Sequence, residues 1–339
     1  MPASLQFSPF LSVFIAAVLA FVLTGLAAWY ARKSGLLDHP GARHSHSEAT
    51  PRGGGAGLVA SLLISSLFLI GPDLSGAWSD GILPGMVIIA SIGAWDDHHS
   101  LSVWFRLFIQ LAVSSGLVWF AAHAGWVQGY VPMVLGGLFM VWMINLYNFM
   151  DGSNGMAALQ GIFGGLVLAF LFHLSGDGYF TGLSLLVAAC CAGFLPWNLG
   201  RAKVFMGDVG SLALGFVFAA LLVYGVGTGA FGIPVAMTVM LLFLVDSTLT
   251  LLVRVIRGER WYNPHRQHLY QRLIAHGWTH GRVALLYQAL NAILVLPAIA
   301  VAVNFPLLGQ AAALVSMTLC VLGWFLLVRR FEVPVQAGK

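Results

Sequence analysis

The 339 residues predict an all-α polytopic membrane protein, and three observations carry that prediction. Hydrophobic residues make up 59% of the chain and charged ones only 8%, against about 25% charged in a soluble domain. Apolar stretches long enough, or nearly long enough, to cross hydrocarbon recur from one end to the other. Lys and Arg fall only in alternate connections between those stretches. A chain this apolar cannot cover a globular surface with polar groups, so lipid is its expected solvent. It reads as one integral-membrane domain over residues 1–339, with no separate soluble module.

A crossing helix needs about 20 apolar residues, and in lipid every backbone amide must be satisfied within its own segment. About eleven transmembrane helices follow, near 9–31, 55–71, 81–95, 101–122, 131–150, 155–174, 178–196, 209–226, 230–253, 281–303 and 307–328. The signal is weakest at 81–95 and 178–196. Residues 1–10 contain no Lys or Arg, so the first stretch predicts an uncleaved helix rather than a secretory signal. The first connection holds Arg32, Lys33, Arg43 and Arg52; the third leads into Arg106; the seventh holds Arg201 and Lys203. The ninth holds Arg254, Arg257, Arg260, Arg266, Arg272 and Arg282, and the tail holds Arg329, Arg330 and Lys339. Those are all 16 basic residues, and the even-numbered connections have none. The positive-inside rule then places the N-terminus outside (periplasmic) and the C-terminus in the cytoplasm. The cytoplasmic loops, about 32–54, 96–101, 145–155, 197–211 and 254–282, are where chemistry is expected. The net charge of +4 thus reflects orientation in a membrane, not nucleic-acid binding. Cys190, Cys191 and Cys320 lie in apolar runs without metal or disulfide spacing, and read as small buried hydrophobes.

Asp73, Asp80 and Asp177 fall in outer loops, where they would be solvated. Asp96, Asp97, Asp151 and Asp208 instead sit where helices meet the inner face. Carboxylates at that depth are costly unless they face protein or water. Four converging on one side point to a divalent cation or a proton path. The pair Asp96-Asp97 suits Mg²⁺, which is usually held by one or two carboxylates plus phosphate oxygens; alone, the pair is equally a solvated helix end. In Asn145-x-x-Asn148-x-x-Asp151-Gly152-x-x-Gly155, the two asparagines share a helix face. The glycines allow close backbone approach, so these carboxamides and the carboxylate could read a nucleoside. In Asn198-x-x-x-x-Lys203-x-Phe205-Met206-Gly207-Asp208-x-Gly210-Ser211, a lysine and an aromatic precede a helix start. Its amides would favour an anion, and Asp208 would hold a bridging metal. His265, Arg266, His268 and Arg272 form a cationic, hydrogen-bonding cluster suited to phosphate or pyrophosphate; zinc has no supporting ligand set. The first connection adds Asp38, Arg43, His44, His46 and Arg52-Gly53-Gly54-Gly55, whose glycines could bring amides to a phosphate. Asp246, within the ninth stretch, is either a structural partner beside a kinked helix or a lipid-phosphate contact.

These motifs, in this order, resemble the polyprenyl-phosphate N-acetylhexosamine-1-phosphate transferases (glycosyltransferase family 4). The resemblance covers about residues 38–272. It implies Asp208 as Mg²⁺ ligand (with Mn²⁺ as a substitute), and Asp96 and Asp97 organising metal and acceptor phosphate. It implies Phe205 stacked on uracil, and Asn148, Asp151, Gly152 and Asn198 close to the nucleoside. His265 and His268 would face the pyrophosphate or sugar, with Lys203, Arg52, Arg266 and Arg272 on phosphates. The implied partners are a UDP-N-acetylhexosamine donor, undecaprenyl phosphate and membrane lipid of a bacterial inner membrane; oligomeric state, a homodimer included, stays open. The muramoyl-pentapeptide branch has three consecutive histidines where this chain has His265-Arg266-Gln267-His268, and a second aspartate where it has Asn154. The pattern looks more like the branch that initiates O-antigen or other surface glycans. The muramoyl-pentapeptide reaction remains the alternative, with a proton-coupled transporter as the rival from another class. The expected chemistry is in-line attack of a polyprenyl-phosphate oxygen on the β-phosphorus of the donor, with UMP leaving. Charge neutralisation and positioning would carry it, with Asp96 or Asp97 as a base only if the attacking oxygen is protonated.

Overall fold

A computed structural model describes residues 8–38, 49–70, 81–260 and 265–332. The expectations placed on Arg43, His44, His46, Asp73 and Asp80 fall outside those residues. Along the chain run α1 (Pro9–Ser34), β1 (Leu37–Asp38), β2 (Thr50–Pro51), α2 (Gly55–Ser65, continued by a π-helical turn to Ile70), α3 (Leu83–His98), α4 (Val103–His123) and α5 (Tyr130–Met150). Then come α6 (Met156–Leu174), α7 (Gly178–Asn198), α8 (Gly207–Gly227), α9 (Ile233–Val239), α10 (Leu241–Ile256), α11 (Leu269–Ala275), α12 (His280–Leu290), α13 (Leu296–Asn304) and α14 (Pro306–Arg330).

Each predicted stretch is helical. Among the described residues eight helices are long and apolar enough to cross a membrane: α1, α4, α5, α6, α7, α8, the run His280–Asn304, and α14. A bent pair, α9 and α10, makes a ninth. Among the described residues α2 with its π-helical turn and α3 are each 16 residues long, below the length of a full crossing, so the eleven expected spans include two that length alone does not support. The chain is an all-α polytopic membrane protein with one small addition. Leu37 pairs with Pro51 and Asp38 with Thr50 in a two-residue antiparallel ladder, which draws the two ends of the first loop together.

The helix α8 is the centre of the bundle. Its most apolar window is 89% buried, whereas those of α1 and α14 are 22% buried, so the latter form the lipid-facing rim. Close packing around α8 depends on small residues. A Cβ on Gly93 of α3 would collide with the backbone of Asp208, and one on Gly215 would meet the backbone of Met143 and Ile144 on α5. The helix α8 is therefore clamped between α3 at its start and α5 farther along. Asp177, expected in a solvated loop, instead caps α7 through the Phe180 amide (3.0 Å) and accepts from the Tyr224 hydroxyl at 2.7 Å.

The expected span at 230–253 is broken. The axes of α9 and α10 differ by 86°, and the break exposes helix-end carbonyls that need a donor. Gln160 of α6 supplies one, donating to the Val239 carbonyl at 3.3 Å, while its own oxygen accepts from Asn291 at 2.8 Å. Asn291 opens a π-helical turn, residues 291–295, that offsets α12 from α13.

Candidate active site

The ends of α1, α3, α5, α7 and α10 and the starts of α2, α4, α6, α8 and α12 gather at one end of the bundle. Local backbone ties fix the loops there. The Phe205 amide donates to Pro51 O (2.8 Å), and the Gly54 and Gly55 amides donate to Phe205 O and Met206 O (2.9 Å each). The glycine loop is thus laced edge to edge onto the segment that starts α8. Asn198 closes the other side: its Oδ1 accepts from Gly155 N at 2.7 Å and its Nδ2 donates to Val204 O at 3.0 Å. One carboxamide joins the α5–α6 turn to the α7–α8 loop.

On that frame the charged groups interlock. Asp97, buried at the end of α3, accepts from the amides of Asp208 (2.9 Å) and Val209 (3.2 Å). It thereby caps α8 from a different helix. The expectation that free amides at the α8 start meet a phosphate is corrected at these two positions: a carboxylate already holds them, because the positive helix end attracts the nearest anion. Gly207 lies at φ +74°, and a Cβ there would press on the Asp97 carboxylate, so only glycine permits this cap. Arg52 donates Nε to Asp97 Oδ1 at 2.7 Å and Nη2 to Asp208 Oδ1 at 3.1 Å. Arg106 donates Nη1 to Asp96 Oδ2 at 2.7 Å and to Asp208 Oδ2 at 3.0 Å. Asp96 Oδ1 also accepts from Leu101 N at 2.7 Å. Asp208 is therefore the shared centre of two arginine bridges. The sequence marks Arg106 only as a basic residue in a connection; its signal is a lone arginine in the first turn of an apolar helix, ten residues beyond Asp96.

Asp151 caps the end of α5. Burial, and then the charges of Asp208 and Asp97, raise its carboxyl well above the usual range, with Arg52 opposing. All four carboxylates named from the sequence thus belong to one electrostatic neighbourhood. Asn148 Oδ1 accepts from Ser211 Oγ at 2.7 Å, and Gly152 packs against the Tyr270 ring. Asn145 is spent on helix packing, donating to Gln110 Oε1 at 2.6 Å. Asn154 donates to Gly200 O at 2.7 Å, another tie between the two loops. Phe205 is half-buried at the loop edge. Lys203 is exposed, its ammonium 5.5 Å from the centre of the Trp197 ring.

The histidine segment approaches from α10 and α11. His268 is buried, and its ring lies 4.9 Å from that of His265 and 6.2 Å from Phe149. Burial, His268 and Arg254 pull the His265 imidazole down to about 3. Burial also lowers His268, against the opposing charge of Asp246. Both rings are thus held neutral at pH 7 and can contribute hydrogen bonds, while the positive charge of the cluster rests on Arg266 and Arg272. Arg272 is buried, and its Nε donates to Gln267 O at 2.7 Å, bracing the segment. Arg266 is exposed.

A hard cation fits these donors on one condition. Among the described residues no group of three or more His, Cys, Asp or Glu side chains is arranged to hold a metal, so a closed protein cage is not present. Each Asp208 oxygen carries a single arginine contact, which leaves acceptor capacity on both. Asp97 Oδ1 is shared by an amide and Arg52. The set therefore suits an ion that takes one or two carboxylates and completes its shell with phosphate oxygens and water, with Asp208 the best placed.

Residues 80–226, which contain the three central motifs, match Glycosyl transferase family 4. The chain is 30% identical over 315 residues to a decaprenyl-phosphate N-acetylglucosaminephosphotransferase of Mycobacterium leprae, covering 80% of this chain and 78% of the relative. It is 28% identical over 294 residues to a probable undecaprenyl-phosphate N-acetylglucosaminyl 1-phosphate transferase of Bacillus subtilis, covering 82% and 80%. It is 29% identical over 298 residues to the undecaprenyl-phosphate alpha-N-acetylglucosaminyl 1-phosphate transferase of Escherichia coli K12, covering 81% and 80%. With the ordered motifs assembled at one end of a membrane bundle and relatives matched over most of their length, the chain belongs to the polyprenyl-phosphate N-acetylhexosamine-1-phosphate transferase family and is a phosphotransferase.

Proposed function

We propose that this enzyme transfers an N-acetylhexosamine 1-phosphate from a UDP-sugar to undecaprenyl phosphate at the cytoplasmic face of a bacterial inner membrane. The products are undecaprenyl-diphospho-sugar and UMP, and the step would begin an O-antigen or related surface glycan. The observation that carries this reading is the joining of Asp96, Asp97 and Asp208 through Arg52 and Arg106, with Asp151 beside them. Alternating anions and cations at a membrane surface suit the meeting of two phosphorylated reactants. The relatives, which act as polyprenyl-phosphate N-acetylglucosamine-1-phosphate transferases by name, support the polyprenyl-phosphate acceptor and the N-acetylglucosamine class of donor. The gathering of these carboxylates at one bundle end favours this reading over a proton path spread across the bilayer.

In the reaction an acceptor phosphate oxygen forms a bond to the β-phosphorus of the donor, and the bond from that phosphorus to the UMP oxygen breaks. Mg²⁺ held through Asp208, with Asp96 or Asp97, would supply charge neutralisation between the reactants. Arg52 and Arg106 bring guanidinium forks to the same place, and such forks match phosphate oxygens in pairs. Asn148, Asn198, Asp151 and Gly152 shape the neighbouring wall, where Phe205 offers a ring for the uracil. His265 and His268, being neutral, would donate or accept hydrogen bonds at the sugar or pyrophosphate. The test is purified enzyme with undecaprenyl phosphate, Mg²⁺ and a panel of UDP-GlcNAc, UDP-GalNAc and UDP-FucNAc, read by UMP release. At least one donor should give UMP; folded protein releasing none from any of them would remove the reading.

A further inference from the structure

Asp246 lies in the second turn of α10, 2% exposed, inside a helix of the bundle. A carboxylate so placed is expensive unless its oxygens are filled. Here they are filled from four different places. Oδ1 accepts from the Leu269 amide (2.8 Å), from Trp324 Nε1 (2.9 Å) and from Thr250 Oγ1 (3.3 Å). Oδ2 accepts from the Tyr287 hydroxyl at 2.7 Å. His268 Nδ1 stands 4.0 Å from Oδ1. These partners belong to α11, α14, α10 and α12. Between them the two oxygens accept four hydrogen bonds from four helices.

The chain of contacts continues toward the site. Leu269, held by Asp246, lies between His268 and Tyr270. Tyr270 donates its hydroxyl to Phe149 O at 2.9 Å, and its ring fills the space where a side chain on Gly152 would sit. Phe149 and Gly152 flank Asp151. One acceptor therefore fixes where the histidine segment turns into α11, and through Tyr270 it fixes that segment against the Asp151 turn. The helices α12 and α14, which bring none of the residues assigned to the reactants, take part through Tyr287 and Trp324.

We propose that Asp246 is a positioning residue: it seats the 265–272 segment against the Asp151–Gly152 turn by accepting four hydrogen bonds, and touches neither reactant. The seating is a property of the fold, whereas its effect on turnover rests on the transfer reaction proposed above. Two measurements on the full-length enzyme separate these. Hydrogen exchange of peptides covering 265–275 reports seating directly. Steady-state UMP release reports the consequence.

Asp246→Ala should speed exchange of the Leu269 peptide by about tenfold or more, because it removes the acceptor and opens the segment. It should lower kcat and kcat/KM together by about tenfold or more, as expected for lost alignment. Asp246→Asn keeps Oδ1 for Leu269, Trp324 and Thr250, while Tyr287 can turn to accept from the new amide. It should restore exchange and turnover to within about threefold of the unmodified enzyme. Phe172→Leu, in the apolar core among Phe180, Tyr224 and Phe231, is the control: it should lower stability without lowering kcat. Exchange and kcat of Asp246→Ala within twofold of the unmodified enzyme would overturn the proposal. So would an Asn variant as impaired as the Ala variant, or a Phe172→Leu variant with the same kcat loss at equal stability. If the unmodified enzyme released no UMP, the reaction reading would fail, and the exchange comparison would still decide the seating.

Discussion

Replacing Arg106 with methionine separates the charge of this side chain from its bulk. Arg106 Nη1 touches Asp96 Oδ2 at 2.7 Å and Asp208 Oδ2 at 3.0 Å, so those two oxygens are at most about 5.7 Å apart. Two unit charges at that separation repel by about 3 kcal/mol at an effective dielectric of about 20. Arg52 still faces Asp208 from the other side, and the Arg106 side chain is 24% exposed, so the net cost should fall to about 1–2 kcal/mol. In EDTA the variant should therefore melt several degrees below the unmodified enzyme. The sign of the Mg²⁺ effect is the sharper test. Removing a competing cation leaves more negative charge around Asp208, so the variant should bind Mg²⁺ more tightly, by about tenfold, and recover more stability from it. Turnover should nonetheless fall by about 10²–10³, because a donor aimed at developing phosphate charge is lost. Melting curves and UMP release, each titrated with Mg²⁺, measure both quantities. An Arg106→Met enzyme with unchanged melting in EDTA and an unchanged Mg²⁺ midpoint would refute the shared-cluster reasoning.

Two further outcomes follow from the same geometry. Gly207→Ala places a methyl group at positive φ and against the Asp97 carboxylate; it should cost about 2 kcal/mol or more and abolish most UMP release, and a variant with full stability would contradict the cross-helix cap. Asp151 is protonated more readily in the folded protein than in the unfolded chain, so its contribution to metal-free stability should be greatest below about pH 4 and decline as pH rises toward the raised folded value. Asp151→Asn should flatten that decline in melting temperature measured across pH in EDTA; an unchanged slope would count against the raised proton affinity that burial, and then Asp208 and Asp97, give Asp151.

Much of the helix pattern was legible because most of the apolar stretches are long and end near Gly, Pro or charge. The positions of Asp96, Asp97 and Asp208 were legible for a different reason: carboxylates bordering apolar runs need partners. Their partners were less visible. Arg52 and Arg106 are separated from Asp208 by 156 and 102 residues, and only the packing of α2, α3, α4 and α8 brings them together. Asp246 pointed to a kink in the ninth stretch, but the place of the break between α9 and α10 was not visible in a mostly apolar run, because its stabilising donor, Gln160, comes from α6. Asp246 could be seen as anomalous in an apolar run, but its four donors come from residues 250, 269, 287 and 324. No local pattern could have chosen between a structural role and a lipid-phosphate contact. The lowered proton affinity of His265 and His268 was not legible either, because the burial that causes it is a tertiary property.

The account depends on Asp208 holding a cation where the two phosphates meet. The most direct measurement is Mg²⁺-dependent UMP release by the unmodified enzyme and by Asp208→Asn, each checked for folding by its melting curve. Asn keeps the size of the side chain, and Arg52 and Arg106 keep Asp97 and Asp96 as partners, so the variant should remain folded. The account predicts that EDTA stops the unmodified enzyme, that Mg²⁺ restores it, and that Asp208→Asn loses at least about 10²-fold in kcat at any Mg²⁺ concentration. An Asp208→Asn enzyme turning over at nearly the unmodified rate, with the same Mg²⁺ dependence, would contradict it.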